Sequence, residues 1–367
     1  MDKIKVANII TDTNIGGAGK CIITFAKNYD KDKFELTVII PKGSLLKKEL
    51  EPTGVHIIEA DDIADESMSI KGIMTQKKLL KALNCDIVHT HAALSARIAA
   101  RLAGAKGIVY TRHCVYEPTG FMKSFIGKLI NRIISELFSD KIIAVAAAAA
   151  DNLTDVGISK KKINIILNGI EPLTPLSEDE KKKQRERFGV GGGQKVVSLV
   201  ARLETVKGHD DYIEASKILK KRNVNVKLIA AGNGSRENEL KKTEDVYFTG
   251  FIPDAFNLIG ITDISANASF GTEATSISLL EGMSLGIPAV VTDYGGNPGV
   301  IADGENGLLV PTHNGVQLAD AIEKILCDEA LYNKLSAGAK KIFAEKFTAQ
   351  AMSRQIEAVY SALMGGK

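Results

Sequence analysis

The sequence predicts an α/β protein made of two Rossmann-like, doubly wound parallel-sheet domains that face each other across an interdomain cleft. Three observations predict it. The chain has 367 residues, long for a single hydrophobic core. Short β-branched runs alternate with longer helical patterns, which is the signature of βαβ units. The alternation then begins afresh beyond a Pro-punctuated stretch at Asn168-Gly169-Ile170-Glu171-Pro172-Leu173-Thr174-Pro175.

In the first half, strands are expected at Ile4–Ile10, Leu36–Ile40, Asp86–His89, Gly107–Thr111 and Lys141–Val145. Their near-continuous apolar runs fit strands covered on both faces. Helices are expected around Gly19–Asn28, Ile70–Leu83, Ser95–Ala103 and Lys123–Phe138, and Ala146–Ala150 reads as a helix start. The charged run Ser177–Arg187 follows the linker. Beyond it come strands at Val196–Val200, Val226–Ala230, Val246–Thr249, Ile264–Ala266, Ala289–Thr292 and Gly307–Val310, with a helix near Asp210–Arg222. After Phe347 an amphipathic pattern carries Met352, Ile356 and Val359 on one side.

Composition limits the function classes. The chain is 45% hydrophobic and 25% charged, as globular domains are. A net charge of +3 is too small to point to nucleic acid. No apolar run reaches the roughly 20 residues of a membrane span. The N-terminus enters a strand pattern without the apolar region of a signal peptide, so a cytoplasmic location is expected. The four cysteines lack CxxC spacing and read as free thiols. His89, His91 and His113 end adjacent strands, but no carboxylate or cysteine set accompanies them, and no metal site is expected. Asp30-Lys31-Asp32 reads as a solvated turn.

The chemistry concentrates in Gly271-Thr272-Glu273-Ala274-Thr275-Ser276-Ile277-Ser278-Leu279-Leu280-Glu281-Gly282. Thr275, Ser276 and Ser278 can cap a helix that Ile277, Leu279 and Leu280 carry onward. Glu273 then stands just outside the helix start and Glu281 roughly two turns inside, on the order of 10 Å apart at 1.5 Å per residue. The close carboxylate pair of a retaining glycosidase needs about 5–5.5 Å, so that chemistry is excluded. The spacing suits a sugar nucleotide laid across the helix end. One carboxylate reaches the sugar and the other the ribose, while the helix N-terminus at Thr275, Ser276, Ile277 and Ser278 faces the diphosphate.

Two further segments point to phosphate. Gly16 and Gly17 lie in Thr13-Asn14-Ile15-Gly16-Gly17-Ala18-Gly19-Lys20, between the first strand and its helix, where backbone N–H groups can approach an anion. The segment is neither a Walker A loop nor GxGxxG. Arg202 and Lys207 follow the first strand of the second half, where a guanidinium fork and a lysine charge match a departing diphosphate. Phe121–Lys141 is amphipathic, with Lys123, Lys128 and Arg132 on its polar edge. That pattern is expected of a helix packed on the sheet, with one lying on an anionic membrane as the alternative.

Together with Gly286-Ile287-Pro288, Gly295-Gly296-Asn297-Pro298, Asn306-Gly307-Leu308, Val88-His89-Thr90-His91 and Leu167-Asn168-Gly169, these residues resemble the retaining, nucleotide-sugar-dependent glycosyltransferases of family 4, of GT-B architecture. The resemblance implies that Glu273 holds the transferred sugar, Glu281 the ribose, Arg202 and Lys207 the diphosphate, and His113 the sugar. It also implies that backbone near Phe251 and Ile252 meets the base and that neither metal nor cofactor is needed. A C-terminal helix returning to the first domain is implied as well, giving domains 1–171 plus 349–367 and 172–348. The chain departs from the common pattern at Ala274-Thr275-Ser276 and at Ala146-Ala147.

The expected activity is transfer of a sugar, with retention, from a nucleoside diphosphate donor such as a UDP-sugar to a hydroxyl acceptor on a glycan or lipid-linked glycan. A nucleotide-sugar epimerase of the same architecture and a non-catalytic sugar-nucleotide-binding subunit are the alternatives. Contact of residues 121–141 with the inner face of a membrane would suit a lipid-linked acceptor.

Overall fold

The structure, a computed structural model, describes residues 3–64, 68–91, 93–115, 118–253 and 255–365. The chain forms two compact units, Met1–Gly169 with Ala349–Lys367, and Ile170–Thr348.

The first unit runs β1 (Ile4–Ile10), α1 (Gly17–Asn28), β2 (Phe34–Pro41), α2 (Leu46–Leu50), β3 (His56–Ala60), α3 (Ile70–Leu83), β4 (Ile87–His91), α4 (Leu94–Ala103), β5 (Gly107–Arg112), α5 (Gly120–Lys123), α6 (Phe125–Phe138), β6 (Lys141–Ala144), α7 (Ala147–Asp155) and β7 (Ile163–Ile165). Its strands pair in parallel in the order β3-β2-β1-β4-β5-β6-β7. The order reverses between β1 and β4, the switch point where open α/β sheets bind ligands.

In the second unit the order is α8 (Glu178–Arg187), β8 (Lys195–Val200), α9 (His209–Lys221), β9 (Val226–Ala231), α10 (Glu237–Leu240), β10 (Tyr247–Phe248), α11 (Phe256–Ile259), β11 (Ile264–Asn267), α12 (Ile277–Leu285), β12 (Ala289–Thr292), α13 (Asn297–Val300), β13 (Gly307–Val310), α14 (Gly315–Cys327) and α15 (Glu329–Lys346). Here the sheet order is β10-β9-β8-β11-β12-β13, reversing between β8 and β11. The chain then re-enters the first unit as α16 (Ala349–Leu363).

Each sheet is buried by alternation along its strands. In the first unit Ile87, Val109 and Ile143 point to the face covered by α1 and α16, where Met352, Ile356, Val359 and Tyr360 are buried. Val88 and Ile108 point to the face covered by α3 and α4. In the second unit Val197 and Leu199 pack under α9 and α14, while Val196 and Ile229 pack with Leu176, Phe188 and Leu258.

Three expectations need correction. The helix expected over Lys123–Phe138 is α6, which starts two residues later because Ser124 separates it from the short α5. The Ser124 side chain accepts from the Gly127 amide and so caps α6, while its hydroxyl donates to the Phe121 carbonyl. A Cβ on Gly127 would stand 2.0 Å from that same carbonyl oxygen, so the break depends on the glycine. The expected first sheet lacked its edges β3 and β7, whose partly exposed residues break the apolar run that marks the inner strands. Finally, α6 does not bury its apolar stripe. Its enclosed positions are Gly127 and Ser135, while Phe125, Ile126, Leu129, Ile130, Ile133 and Leu137 are between 42% and 81% exposed.

Candidate functional site

In the second unit the candidate residues gather at the carboxyl ends of β8 and β11, on either side of the switch point. β11 delivers Asn267 and, beyond it, Ser269 and Glu273. Glu273 is 7% exposed, and a carboxylate so enclosed needs compensating charge or donors. Lys207 supplies both. Its Nζ lies 2.8 Å from Glu273 Oε2, and Lys207 is itself 9% exposed. The same Oε2 accepts from Ser269 Oγ at 3.1 Å and from Asn267 Nδ2 at 3.4 Å.

Two close backbone approaches make this pairing possible. Lys207 ends a short 3-10 turn, and Gly208 follows at φ +68. A Cβ there would lie 2.0 Å from the Ala268 carbonyl oxygen, so the lysine loop can press against the end of β11 only with glycine. On the other side the Gly296 amide donates to the Glu273 carbonyl, and a Cβ on Gly296 would meet the Ala274 carbonyl oxygen at 1.4 Å. Thr272, immediately before the glutamate, has φ +54, a strained conformation for a β-branched residue.

The remaining donor-side candidates lie around this pair. Ser276 is the N-cap of α12 but makes no capping hydrogen bond to the helix. Its hydroxyl meets Ser278 Oγ at 3.0 Å, and Ser278 Oγ donates to the Val200 carbonyl, tying the helix start to the end of β8. The first turn of α12 thus keeps amide N–H groups that its cap does not occupy, as anion sites at helix ends do. Glu281 is the fifth residue of α12, little more than one turn inside, and half-buried. The expected two turns overshot because the helix starts only at Ile277. Arg202 is exposed and makes no side-chain hydrogen bond among the described residues. Phe251, 66% exposed, and Ile252 follow β10 at the same end of the sheet.

The first unit places its candidates at the carboxyl ends of β1, β4 and β5. Gly16 is the N-cap of α1, without a side-chain cap, and space around the Cβ position of Gly17 is open to 4 Å. Gly19 is a packing glycine, since a Cβ there would stand 2.9 Å from the Leu46 side chain. Asp30 closes its own turn by accepting from the Asp32 and Lys33 amides.

Sequence reasoning set the three histidines at adjacent strand ends, and the structure joins them ring to ring. His89 and His91 sit two apart on β4 and so share a face, with Thr111 and His113 beside them from β5. The His89 and His91 rings stack at 4.5 Å, and His91 and His113 at 5.0 Å. His89 Nδ1 lies 2.6 Å from the Tyr360 hydroxyl of α16, and its Nε2 lies 2.6 Å from Thr111 Oγ1. His91 Nδ1 and His113 Nε2 are 2.7 Å apart. The outer nitrogens, His91 Nε2 and His113 Nδ1, are enclosed and have no hydrogen-bond partner.

Burial disfavours the imidazolium form in all three rings. It pushes His113 down to about 4 and, with His113 adding repulsion, His89 to about 3. His91 is held well below its usual value by burial and then by its two neighbours. No group of three or more His, Cys, Asp or Glu among the described residues could hold a metal ion.

Comparison with known proteins places the chain. Residues 180–342 match the family model for group 1 glycosyl transferases, and residues 15–172 match that for Glycosyltransferase Family 4. EpsD of Bacillus subtilis (strain 168) is 29% identical over 304 residues, 78% of this chain and 79% of that protein. The Escherichia coli UDP-Gal:alpha-D-GlcNAc-diphosphoundecaprenol alpha-1,3-galactosyltransferase is 24% identical over 356 residues, 90% of this chain and 89% of that one. The crystal structure of Anabaena HepE in complex with UDP and glucose has a TM-score of 0.83 at 22% identity, covering 98% of this chain and 100% of its own.

The histidine column makes stability depend on pH. In the unfolded chain these rings take up protons below about 6.5, whereas the native rings stay neutral well below that. The unfolded state therefore binds more protons in this window, and stability falls with acidification. Each histidine costs about 1.4 kcal/mol per pH unit between the unfolded value and its own native one. Denaturation of the full chain at pH 7.5, 6.5 and 5.5 checks this. The midpoint should hold above 6.5 and drop below it, and a midpoint rising toward pH 5.5 would contradict neutral burial.

Proposed function

Because the chain belongs to the group 1 glycosyl transferases of family 4 type and is a glycosyltransferase of two-domain GT-B fold, we propose that its second unit binds a nucleoside diphosphate sugar, a UDP-sugar first of all, for transfer with retention. The observation that carries this is Glu273, enclosed beside Lys207 at the head of the sheet, with the uncapped start of α12 four residues on. In this reading Glu273 accepts from hydroxyls of the transferred sugar, and Lys207 holds it in place. The α12 amides near Thr275, Ser276, Ile277 and Ser278 receive the diphosphate, and Arg202 neutralises the charge that grows as it leaves. Glu281 takes the ribose hydroxyls, and backbone near Phe251 and Ile252 meets the base. In the first unit the open start of α1 at Gly16 and Gly17 suits an anionic group, and His113 suits a sugar hydroxyl.

In a same-face displacement the bond from the anomeric carbon to the diphosphate breaks and its electron pair stays on the phosphate oxygen. The acceptor oxygen bonds to that carbon and its proton passes to the departing phosphate, so no strong protein base is required. Positive charge at the diphosphate comes from Arg202 and the helix end, and the reaction is read as metal-independent. UDP is favoured because HepE was crystallised with it and because the Escherichia coli galactosyltransferase is named for a UDP-sugar. An epimerase or a silent binding subunit has no comparable support.

A panel of nucleotide sugars, scored for thermal stabilisation and for slow hydrolysis in excess EDTA, identifies the donor. With that donor, Arg202→Ala should raise the transfer barrier by about 2–4 kcal/mol, the range for losing one preorganised stabiliser. Transfer within twofold of the parent would remove Arg202 from the mechanism, and activity lost to EDTA and restored by manganese would overturn metal independence.

The exposed face of α6 favours a lipid-linked glycan acceptor. Phe125, Leu129, Ile133, Ile126, Leu137 and Ile130 form one apolar arc, and Lys128 and Arg132 border it, with Phe121 and Lys123 of α5 alongside. An apolar arc edged with cations is the pattern of a helix lying in an anionic bilayer surface. No helix among the described residues is long and apolar enough to cross a membrane. In liposome flotation the protein should rise with vesicles containing phosphatidylglycerol and be released by Ile126→Glu with Ile133→Glu. Equal absence of binding to neutral and anionic vesicles would refute the contact.

A further inference from the structure

Two loops of the second unit hold side-chain-bearing residues in the left-handed region, Thr272 at φ +54 and His313 at φ +56. Residues other than glycine adopt that conformation at a cost. Thr272 follows β11, one residue before Glu273, and His313 follows β13. In the sheet β12 lies between those two strands, so their loops meet only above the strand ends. They meet through rings. The Phe270 and His313 centroids are 4.1 Å apart, with the planes tilted by 44°.

Backbone contacts anchor both loops. The Phe270 amide donates to the Val206 carbonyl, and a Cβ on Gly271 would stand 2.9 Å from Val206 Cγ1. The segment before Glu273 therefore runs against the turn that ends in Lys207. On the other side, Asn314 caps α14 by accepting from the Gln317 amide. A Cβ on Gly315 would lie 2.5 Å from Glu214 Oε2 and 2.8 Å from the Asp211 carbonyl oxygen, so this loop is pressed on α9. Asp211 also faces His313. Burial raises the Asp211 carboxyl, and the charge and backbone amide of His313 pull it down. The backbone anchors leave the Phe270 ring to be fixed. It is half-buried, and the imidazole against it is itself exposed.

We propose that His313 is a positioning residue for Glu273: its imidazole braces the Phe270 ring and so holds the segment from Ser269 to Glu273 against the Lys207 turn. This rests on the reading of Glu273 as the group that meets the sugar hydroxyls. Ser269, directly before Phe270, donates to Glu273 Oε2, so movement of Phe270 reaches the carboxylate through that hydrogen bond as well as along the chain. The brace needs a ring. Asparagine tolerates the left-handed backbone, and would keep the turn without the brace.

The test uses the full chain with 15N-labelled lysine and reads the Lys207 ammonium, assigned by Lys207→Met. The Lys207 side chain is 11% exposed and its Nζ is bonded to Glu273, so its signal reports on the carboxylate. His313→Asn keeps the turn and removes the ring, whereas His313→Phe keeps a ring. The Lys207 signal should shift and its protons exchange faster in His313→Asn, and both should stay near the parent in His313→Phe. With UDP-glucose as donor, or whichever nucleotide sugar the panel selects, kcat should fall about two- to tenfold in His313→Asn, the worth of one aromatic pair. Donor KM should change little, and His313→Phe should recover kcat. A parent-like Lys207 signal in His313→Asn, or an equal displacement in His313→Phe, overturns the brace regardless of activity. A displaced signal with undiminished kcat overturns its service to transfer. Undiminished transfer in Glu273→Gln would instead overturn the sugar contact, with the brace still decided by the Lys207 signal.

Discussion

A carboxylate enclosed at the head of a parallel sheet is the constraint around which the second unit is arranged. Left without partners, an enclosed carboxylate such as Glu273 would cost the fold its desolvation. Lys207 meets it at 2.8 Å, although the two are 66 residues apart in the chain. Bringing them together requires the β8 and β11 loops to touch, and Gly208 permits that touch. It also requires the loop after β12 to close from behind, which Gly295 and Gly296 permit. Thr292 adds a further tie, its hydroxyl donating to the Ser269 carbonyl while Asn297 bonds back to Thr292. A buried pair of this kind adds little net stability compared with apolar packing, but it fixes a charge and its direction. That is what the contact with sugar hydroxyls proposed for Glu273 needs.

The first unit solves the opposite problem. It encloses three imidazoles and so disfavours their charged form, with no carboxylate or other anion among the described residues bonded to any of them. Neutral rings exchange hydrogen bonds with one another and with hydroxyls, so direction resides in the tautomer rather than in charge. Tyr360 brings α16 into this arrangement. The helix that buries Met352 and Ile356 against the sheet also fixes the first ring of the column. The packing of α16 and the histidine column are therefore joined through one hydroxyl.

Much of this was legible in sequence, for physical reasons that can be named. Inner strands such as Ala289–Thr292 and Gly307–Val310 are buried on both faces, so their composition alone marks them. The edge strands β3 and β7 carry mixed patterns and escaped notice. Arg202 and Lys207 stood out by their place after a predicted strand, and Glu273 and Glu281 by their spacing across a predicted helix start. Their partners did not: Asn267 and Ser269 look like ordinary strand-end residues, and nothing local links Lys207 to Glu273. The histidine column could have been anticipated, because His89 and His91 share a face by period two and a parallel neighbour sets His113 beside them. Periodicity identified the apolar stripe of α6 but could not say whether protein or solvent lies against it. That depends on which other helices cover the sheet, and Gly127 and Ser135 turned out to be the inward positions.

The account depends most on the claim that Lys207 and Glu273 act as one unit. A double-mutant cycle with Lys207→Met and Glu273→Gln, read by denaturant unfolding of the full chain, tests it most directly. Breaking a buried pair from one side strands the other charge, so each single change should destabilise by about 3–5 kcal/mol. The double variant should recover a coupling on the order of 1–3 kcal/mol relative to the sum. Additivity within about 0.5 kcal/mol would show the two side chains to be independent, and the arrangement of the site around a single held carboxylate would be wrong.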